Sequence, residues 1–337
     1  MLSDDRKLLL ACIGGSLITY GAFRVIKSLY DSPKDEWIPV GTVKHLRVFP
    51  VKSCRGHEVF SVRCGPLGVS IGGLHDREFL VINGKTGGHL TARAFPKMIL
   101  MQCNASEGVL TVSIHNGRSV DVILDDVVNN NVVRRATMHK QKQADGLDCG
   151  DAVGALFDEL LGVADTRVLY YQSHLFNGRP CIPKPNWWNN PVPKRKDTIR
   201  YADLAPYLIT TEESLHALNA LLETPVTSLN FRGNIVVDRC AAWDEDKWAE
   251  IRIGDAQLQC FKPCTRCILT TVDPETGHMD ADMQPLKKLR EFRLAPEGKM
   301  REAHKQAPIF GVNAGIVQPG YIHVGQTVYV KYKPSAF

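Results

Sequence analysis

"MILMQCNASEGVLTVSIHNGRSVDVIL", residues 98–124, decides the fold class. It holds three short runs, MILMQC, VLTVSIH and SVDVIL, each β-branched or alternating in polarity. The intervals between them, NASEG (104–108) and NGR (116–118), carry the turn formers Asn, Ser and Gly. Strands this short, this closely spaced, pair most readily as antiparallel neighbours. The same reading extends upstream to VKHLRVFPV (43–51) and EFLVIN (78–83), and downstream to NVVRR (131–135). An amphipathic helix over 151–162, ending at Gly162, and a strand at 166–172 complete a first β-rich lobe, predicted to span residues 41–172.

Residues 173–200 change character. Prolines 180, 183, 185, 191 and 193 fall in a short interval, a density that predicts a long irregular connection, with Trp187 and Trp188 packing it down. Beyond it, Thr210 and Glu213 read as a capping box for the helix EESLHALNALLE (212–223). Strand-like runs follow at NIVV, AEIRIG, AQLQCF and CILTTV, then a short basic helix PLKKLREFR (285–293) and the closing run GYIHVGQTVYVKY (320–332). The expected architecture is α+β and mainly β: two β-rich, barrel-like lobes with a few peripheral helices, the second over 201–337.

The chain has 337 residues, enough to bury one large core or two ordinary ones. It is 44% hydrophobic and 23% charged, with a formal net charge of +5. Its basic residues are scattered, and no helix-turn-helix, zinc-finger or RNP-like pattern occurs, so no nucleic-acid partner is expected. Ten cysteines at irregular spacings in a chain this long argue for reduced thiols and a cytosol-facing body. Residues 8–23, LLLACIGGSLITYGAF, carry no charge and are flanked by Arg6, Lys7, Arg24 and Lys27. A bilayer span takes about 20 residues, and extension through Ile26 approaches that if Arg24 snorkels to the headgroups. Residues 1–40 therefore read as a single membrane anchor and a polar tether. A signal or targeting peptide and an ordinary helix are the rival readings.

Chemistry concentrates at 263–277, PCTRCILTTVDPETG, where two cysteines lie three positions apart. Structural zinc needs four ligands, and the chain has no second CxxC and no histidine pair at ligand spacing. A redox dithiol needs its first cysteine at a helix N-terminus, whereas CILTTV favours a strand. Inert core cysteines, or one thiolate on a single soft metal, remain; Arg266 beside Cys267 favours the thiolate. Three further stretches place cations in turns at strand ends: Lys52-Ser53 in FPVKSCRG (49–56), Arg77 in GLHDREFLV (73–81), and Arg232 with Asn234 in NFRGNIVV (230–237). Converging turns of this kind would hold an anion by charge-assisted hydrogen bonds.

Together, in this order and spacing, PVKSCRG, DREFLV, NFRGNIVV and CTRCILTTVDPETG resemble the MOSC-domain family, from about Val43 to the C-terminus, and within it the membrane-anchored reductases. The resemblance implies a MOSC N-terminal β-barrel domain over 41–172 and the MOSC domain over 201–337, with the molybdenum cofactor between the two lobes. It implies Cys267 as the metal ligand and catalytic thiolate, and Lys52, Ser53, Arg77, Arg232, Asn234, Thr265 and Arg266 as cofactor-binding residues. The implied reaction is reduction of amidoximes and hydroxylamines, with electrons from NADH through cytochrome b5 reductase and cytochrome b5. The implied location is the mitochondrial outer membrane, with the catalytic body facing the cytosol. Basic stretches at 194–196 and 287–290 are the candidate docking sites, and Asp148 is either a proton relay or a surface turn residue. The chain departs from close relatives at Leu204 and Ala205, where they carry small hydroxyl residues, and at Thr265, where they carry serine. The rival readings are a sulfur-carrying MOSC protein, whose pyridoxal-phosphate domain finds no room here, and a membrane-tethered zinc-stabilised interaction module.

Overall fold

The computed structural model describes residues 36–114, 117–138, 142–175, 179–181 and 195–337. The expected anchor, Trp187, Trp188 and Lys194 lie outside these residues. Among the described residues no helix is long and apolar enough to cross a membrane.

Seven strands close into a barrel in the spatial order Ile235–Asp238, Tyr207–Thr211, Ile309–Gln318, Ala256–Thr265, Trp248–Ile253, Thr327–Tyr332 and Ile38–Val48, with the last pairing back to the first. Their sequences alternate as a half-buried ladder requires: Ala256, Leu258 and Cys260 point into the core, while Gln257 and Gln259 do not. One pair is parallel, Tyr207–Thr211 with Ile235–Asp238, and the helix Glu212–Asn219 lies in the connection between them. Every other barrel pair is antiparallel.

Closure depends on the first described strand. Ile38–Val48 pairs with Thr327–Tyr332 through Ile38↔Val330 and with Ile235–Asp238 through Leu46↔Ile235. Register shifts between Pro39 and Gly41 and between Val43 and His45 bend this 11-residue strand. At Gly41 the two backbones meet so closely that a Cβ would lie 2.0 Å from the Asp238 carbonyl oxygen. The tether expected over 28–40 thus ends at Trp37, because residues 38–40 already belong to the barrel.

The barrel expected for 41–172 is instead three separate ladders. One joins Phe79–Asn83, Thr166–Tyr170, Gly146–Asp148 and Val133–Arg134; a second joins Met101–Ser106, Val109–Ile114 and Ser119–Ile123. The third joins Ser61–Gly65, Gly68–Ile71 and Leu74–His75 to Gly320–His323 from the far end of the chain. Their strands are two to six residues long, and among the described residues no pairing joins the three ladders to one another. They share one hydrophobic core with the barrel, in which Leu46 and Ile251 are contiguous with Phe79, Leu110 and Phe157. The helix Asp151–Leu161 covers it with Val153, Leu156 and Phe157 and ends at the left-handed Gly162, φ 66°, as the sequence predicts.

Four local expectations are corrected. The helix over 212–219 is capped by Thr211, which accepts from the Ser214 amide at 3.2 Å, not by Thr210 and Glu213; adjacent threonines make the cap ambiguous by one residue. MIL at 98–100 is the end of a 3-10 turn, Pro96–Leu100. CILTTV is not a strand: Ala256–Thr265 ends first, and the chain enters a 3-10 turn, Ile268–Thr271. The proline-rich connection retains a short ladder, Arg179–Cys181 with Asp197–Ile199.

Candidate active site

All eight residues nominated from the sequence line one cleft of about 330 Å³, opening where the barrel meets the loops of the N-terminal half. Lys52, Ser53 and Arg77 come from turns beside the strands Ile38–Val48 and Phe79–Asn83, Arg232 and Asn234 precede Ile235–Asp238, and Thr265, Arg266 and Cys267 close the long strand Ala256–Thr265. Three of them hold a left-handed backbone that non-glycine residues seldom adopt: Ser53 at φ 71°, Arg77 at 47° and Arg232 at 55°. Surrounding backbone bonds impose it. The Arg77 amide donates to the Phe49 carbonyl at 2.7 Å, the Lys52 amide to Phe79 at 2.9 Å, and the Tyr201 amide to Arg77 at 3.1 Å. Such conformations cost about 1–3 kcal/mol each and persist where the fold over-determines them.

The cations differ in how they are satisfied. Arg77 donates two 2.6 Å bonds from Nη1 to the buried Asp76 carboxylate and lies over the Phe49 ring at 4.4 Å. Lys52 donates to the Tyr201 carbonyl at 2.9 Å and pairs with Asp203. Arg266 donates from Nη2 to the Phe231 carbonyl at 2.7 Å and from Nη1 to the Cys264 sulfur at 3.0 Å, leaving its buried Nε without a partner. Its guanidinium is therefore engaged by Cys264 rather than held for Cys267. Arg232 is the exception. It is 7% exposed, lies 4.3 Å over Phe49, and donates no side-chain hydrogen bond to another described residue. Burial first, and the neighbouring Arg77 second, pull its guanidinium down to about 9. Cys267, by contrast, is an exposed free thiol.

Asn234 lines the cleft, but the protein engages both ends of its amide. Its Nδ2 donates to Asp76 Oδ1 at 2.9 Å and to the Arg47 carbonyl at 3.2 Å, and its Oδ1 accepts from the Leu208 amide. It orients the Asp76–Arg77 pair. Asp148 does not line the cleft: its Oδ2 pairs with Arg134 at 2.6 Å and its Oδ1 accepts from the Gly150 amide.

Sequence reading missed Asp76, the acid that anchors Arg77, although it is the adjacent residue. It also missed Asn230, whose Nδ2 donates to the Thr270 and Val272 carbonyls at 3.1 and 3.2 Å and so ties the Arg232 turn to the turn that follows Cys267. Lining residues Thr91, Arg93, Lys262 and Asn313 were missed as well. Among the described residues no group of three or more His, Cys, Asp or Glu side chains is placed to hold a metal ion, so the zinc-stabilised reading finds no ligand set there.

The family models locate this arrangement: the MOSC N-terminal beta barrel domain matches residues 40–164 and the MOSC domain matches residues 196–329. The chain belongs to the MOSC-domain family. Similar curated MOSC proteins include mitochondrial amidoxime-reducing component 1 of Homo sapiens, 36% identical over 86% of this chain and 83% of that protein. Mitochondrial amidoxime reducing component 2 of Homo sapiens is 34% identical over 86% and 83%. Component 1 of Danio rerio is 31% identical over 98% and 96%. Both matched models contribute to the cleft, the first through Lys52, Ser53 and Arg77 and the second through Arg232 and the 265–267 turn.

The molybdenum cofactor that such relatives imply carries a terminal phosphate and a soft metal centre, and the residues present fit it. A buried guanidinium without an acceptor and an orphaned Arg266 Nε call for an anion, and an exposed thiol in the same cleft is a soft metal ligand.

Proposed function

We propose that this protein is a molybdenum-cofactor-dependent reductase of N-hydroxylated compounds, converting amidoximes and hydroxylamines to amidines and amines. The observation that carries this reading is one cleft presenting both the exposed Cys267 thiol and the acceptorless guanidinium of buried Arg232. The overall change is R–NHOH plus two electrons and two protons giving R–NH2 and water. The cofactor, when bound, would supply the two-electron redox chemistry. Cys267 holds the metal through its thiolate. Arg232 and Arg266 bind the anionic part of the cofactor, Lys52 and Arg77 add charge from the opposite turns, and the Ser53 and Thr265 hydroxyls add neutral donors. Leu204, Ala205, Leu208 and Leu269 line the cleft with apolar surface. With no hydroxyl at 204 and 205, grip on the anion falls to the cations.

The two electrons come from NADH through cytochrome b5 reductase and cytochrome b5. In support, the sequence lacks a dinucleotide fingerprint, and the helix Leu286–Phe292 exposes Lys287 and Arg290 as a surface for an acidic donor protein. The relatives' names support a mitochondrial address, and the uncharged run 8–23 supports an outer-membrane anchor with the body in the cytosol. Reconstituted benzamidoxime reduction with both donor proteins tests the reading. Cys267→Ala is expected to abolish turnover and lower bound molybdenum; full activity with molybdenum retained would refute it.

A further inference from the structure

The open side of the cleft carries an exposed cation, Arg93. Among the lining residues only Arg93, Asp203 and Cys267 are exposed, and Asp203 is paired with Lys52. Arg93 sits in a tight turn in which the Ala94 and Phe95 amides donate to the Thr91 carbonyl at 3.0 and 2.9 Å. Ala92 is fully buried beneath it, so the turn is pinned and residue 93 is held outward. Unlike Arg77 and Arg266, Arg93 makes no hydrogen bond or ion pair with another described residue. It is also unlike Arg232, because exposure keeps it hydrated and cheap to hold charged without an anion. An incoming substrate therefore meets an accessible thiol position, an apolar wall at Leu204 and Leu269, and one uncommitted guanidinium.

On this geometry, and resting on the reductase reading above, we infer that Arg93 is a specificity-determining residue that selects N-hydroxylated substrates bearing a carboxylate. The guanidinium forks onto the carboxylate, the carbon skeleton lies against the leucines, and the N–OH group is presented toward Cys267. No bond is made or broken at Arg93.

The test uses the molybdenum-loaded full chain with benzamidoxime and 4-carboxybenzamidoxime. Two readouts are taken: KM with the electron donors present, and calorimetric binding with no reductant. The parent is expected to favour the carboxylated compound about tenfold in both, Arg93→Gln to bring the ratio to about one, and Arg93→Lys to retain part of the preference. An equal ratio in parent and Arg93→Gln, or loss of molybdenum from Arg93→Gln, overturns the inference; the latter would make Arg93 a cofactor ligand. If neither compound is reduced but binding still follows Arg93, the reductase reading falls and the carboxylate site stands.

Discussion

Replacing Arg232 with methionine separates what holds an anion from what holds the fold. The guanidinium is buried against Phe49, beside Arg77, and is drawn well below the ordinary arginine range, to about 9. At about 1.4 kcal/mol per tenfold, keeping it charged in the cofactor-free cleft costs roughly 5 kcal/mol. Methionine retains an unbranched stem over the ring and meets the same left-handed backbone cost, so neither contributes to the difference. It does forfeit a cation–π contact worth about 0.5–2 kcal/mol. The cofactor-free variant should thus be more stable than the parent by about 3 kcal/mol, a Tm rise of roughly 5–10 °C for a chain this size. The pH dependence has a definite sign. A cation whose folded value is lowered binds protons less well when folded, so the penalty is full below about pH 9 and is relieved as pH rises from there toward the ordinary arginine range. The gap between variant and parent should be flat from pH 6 to 8 and narrow above 9. Phosphate narrows the gap by about half: at ten times its Kd it should stabilise the parent by about 1.4 kcal/mol and the variant hardly at all. Thermal unfolding of protein from a cofactor-deficient host, with and without phosphate, reads both effects. A variant that melts below the parent without phosphate, or that responds to phosphate as the parent does, would show that Arg232 already has its counter-charge inside the fold.

Three further outcomes can be measured. Asn230→Asp cannot donate to the Thr270 and Val272 carbonyls and sets a carboxylate against them, which should cost about 3 kcal/mol in urea unfolding and lower the molybdenum retained after dialysis. Leu46→Ala empties a fully buried position in the strand that closes the barrel, and should cost about 2–5 kcal/mol while leaving the residual cleft chemistry intact in the folded fraction. Lys287→Glu with Arg290→Glu should raise the KM for cytochrome b5 several-fold and flatten its salt dependence, without altering reduction by a small chemical donor; an unchanged salt profile would place docking elsewhere.

Much of the cleft was legible because chemistry-bearing residues occupy turns at strand ends, where local sequence signals are strongest. Charge and thiol placement drew attention to Lys52, Arg77, Arg232, Arg266 and Cys267, and the family resemblance joined them, with Thr265, into one site. Which way each polar atom faces was not legible. Asn234 turns its amide into the protein, and Arg266 lies on Cys264, because long-range partners such as Arg47 and Phe231 decide those contacts. The strand exchange was hidden for a similar reason. The alternation in Ile38–Val48 reports a ladder but not its partners, Asp238 and Val330 lying some 200 and 290 residues away. A stretch such as CILTTV is β-branched enough to be a strand, yet Asn230 accepts no such ladder and instead caps the carbonyls of a 3-10 turn.

That exchange also explains why the cleft is built where it is. The Arg47 amide donates to the Asn234 carbonyl at 2.9 Å, and Leu46 faces Ile235, so the seam that closes the barrel sets Phe49 relative to Arg232. Two residues beyond Arg47, Phe49 lies under both the Arg77 and Arg232 guanidinium groups, and its amide donates to Asp76. A slip of one residue in this seam would exchange the faces of the strand, carrying Leu46 and Val48 toward solvent and taking Phe49 from beneath the two arginines. The register shift between Val43 and His45 guards against that slip, since the ladder cannot move past it without breaking the pairs on one side. Barrel closure and anion-site assembly are therefore one structural event: cations from three distant parts of the sequence become neighbours only when the first strand finds its register on the four-residue strand Ile235–Asp238.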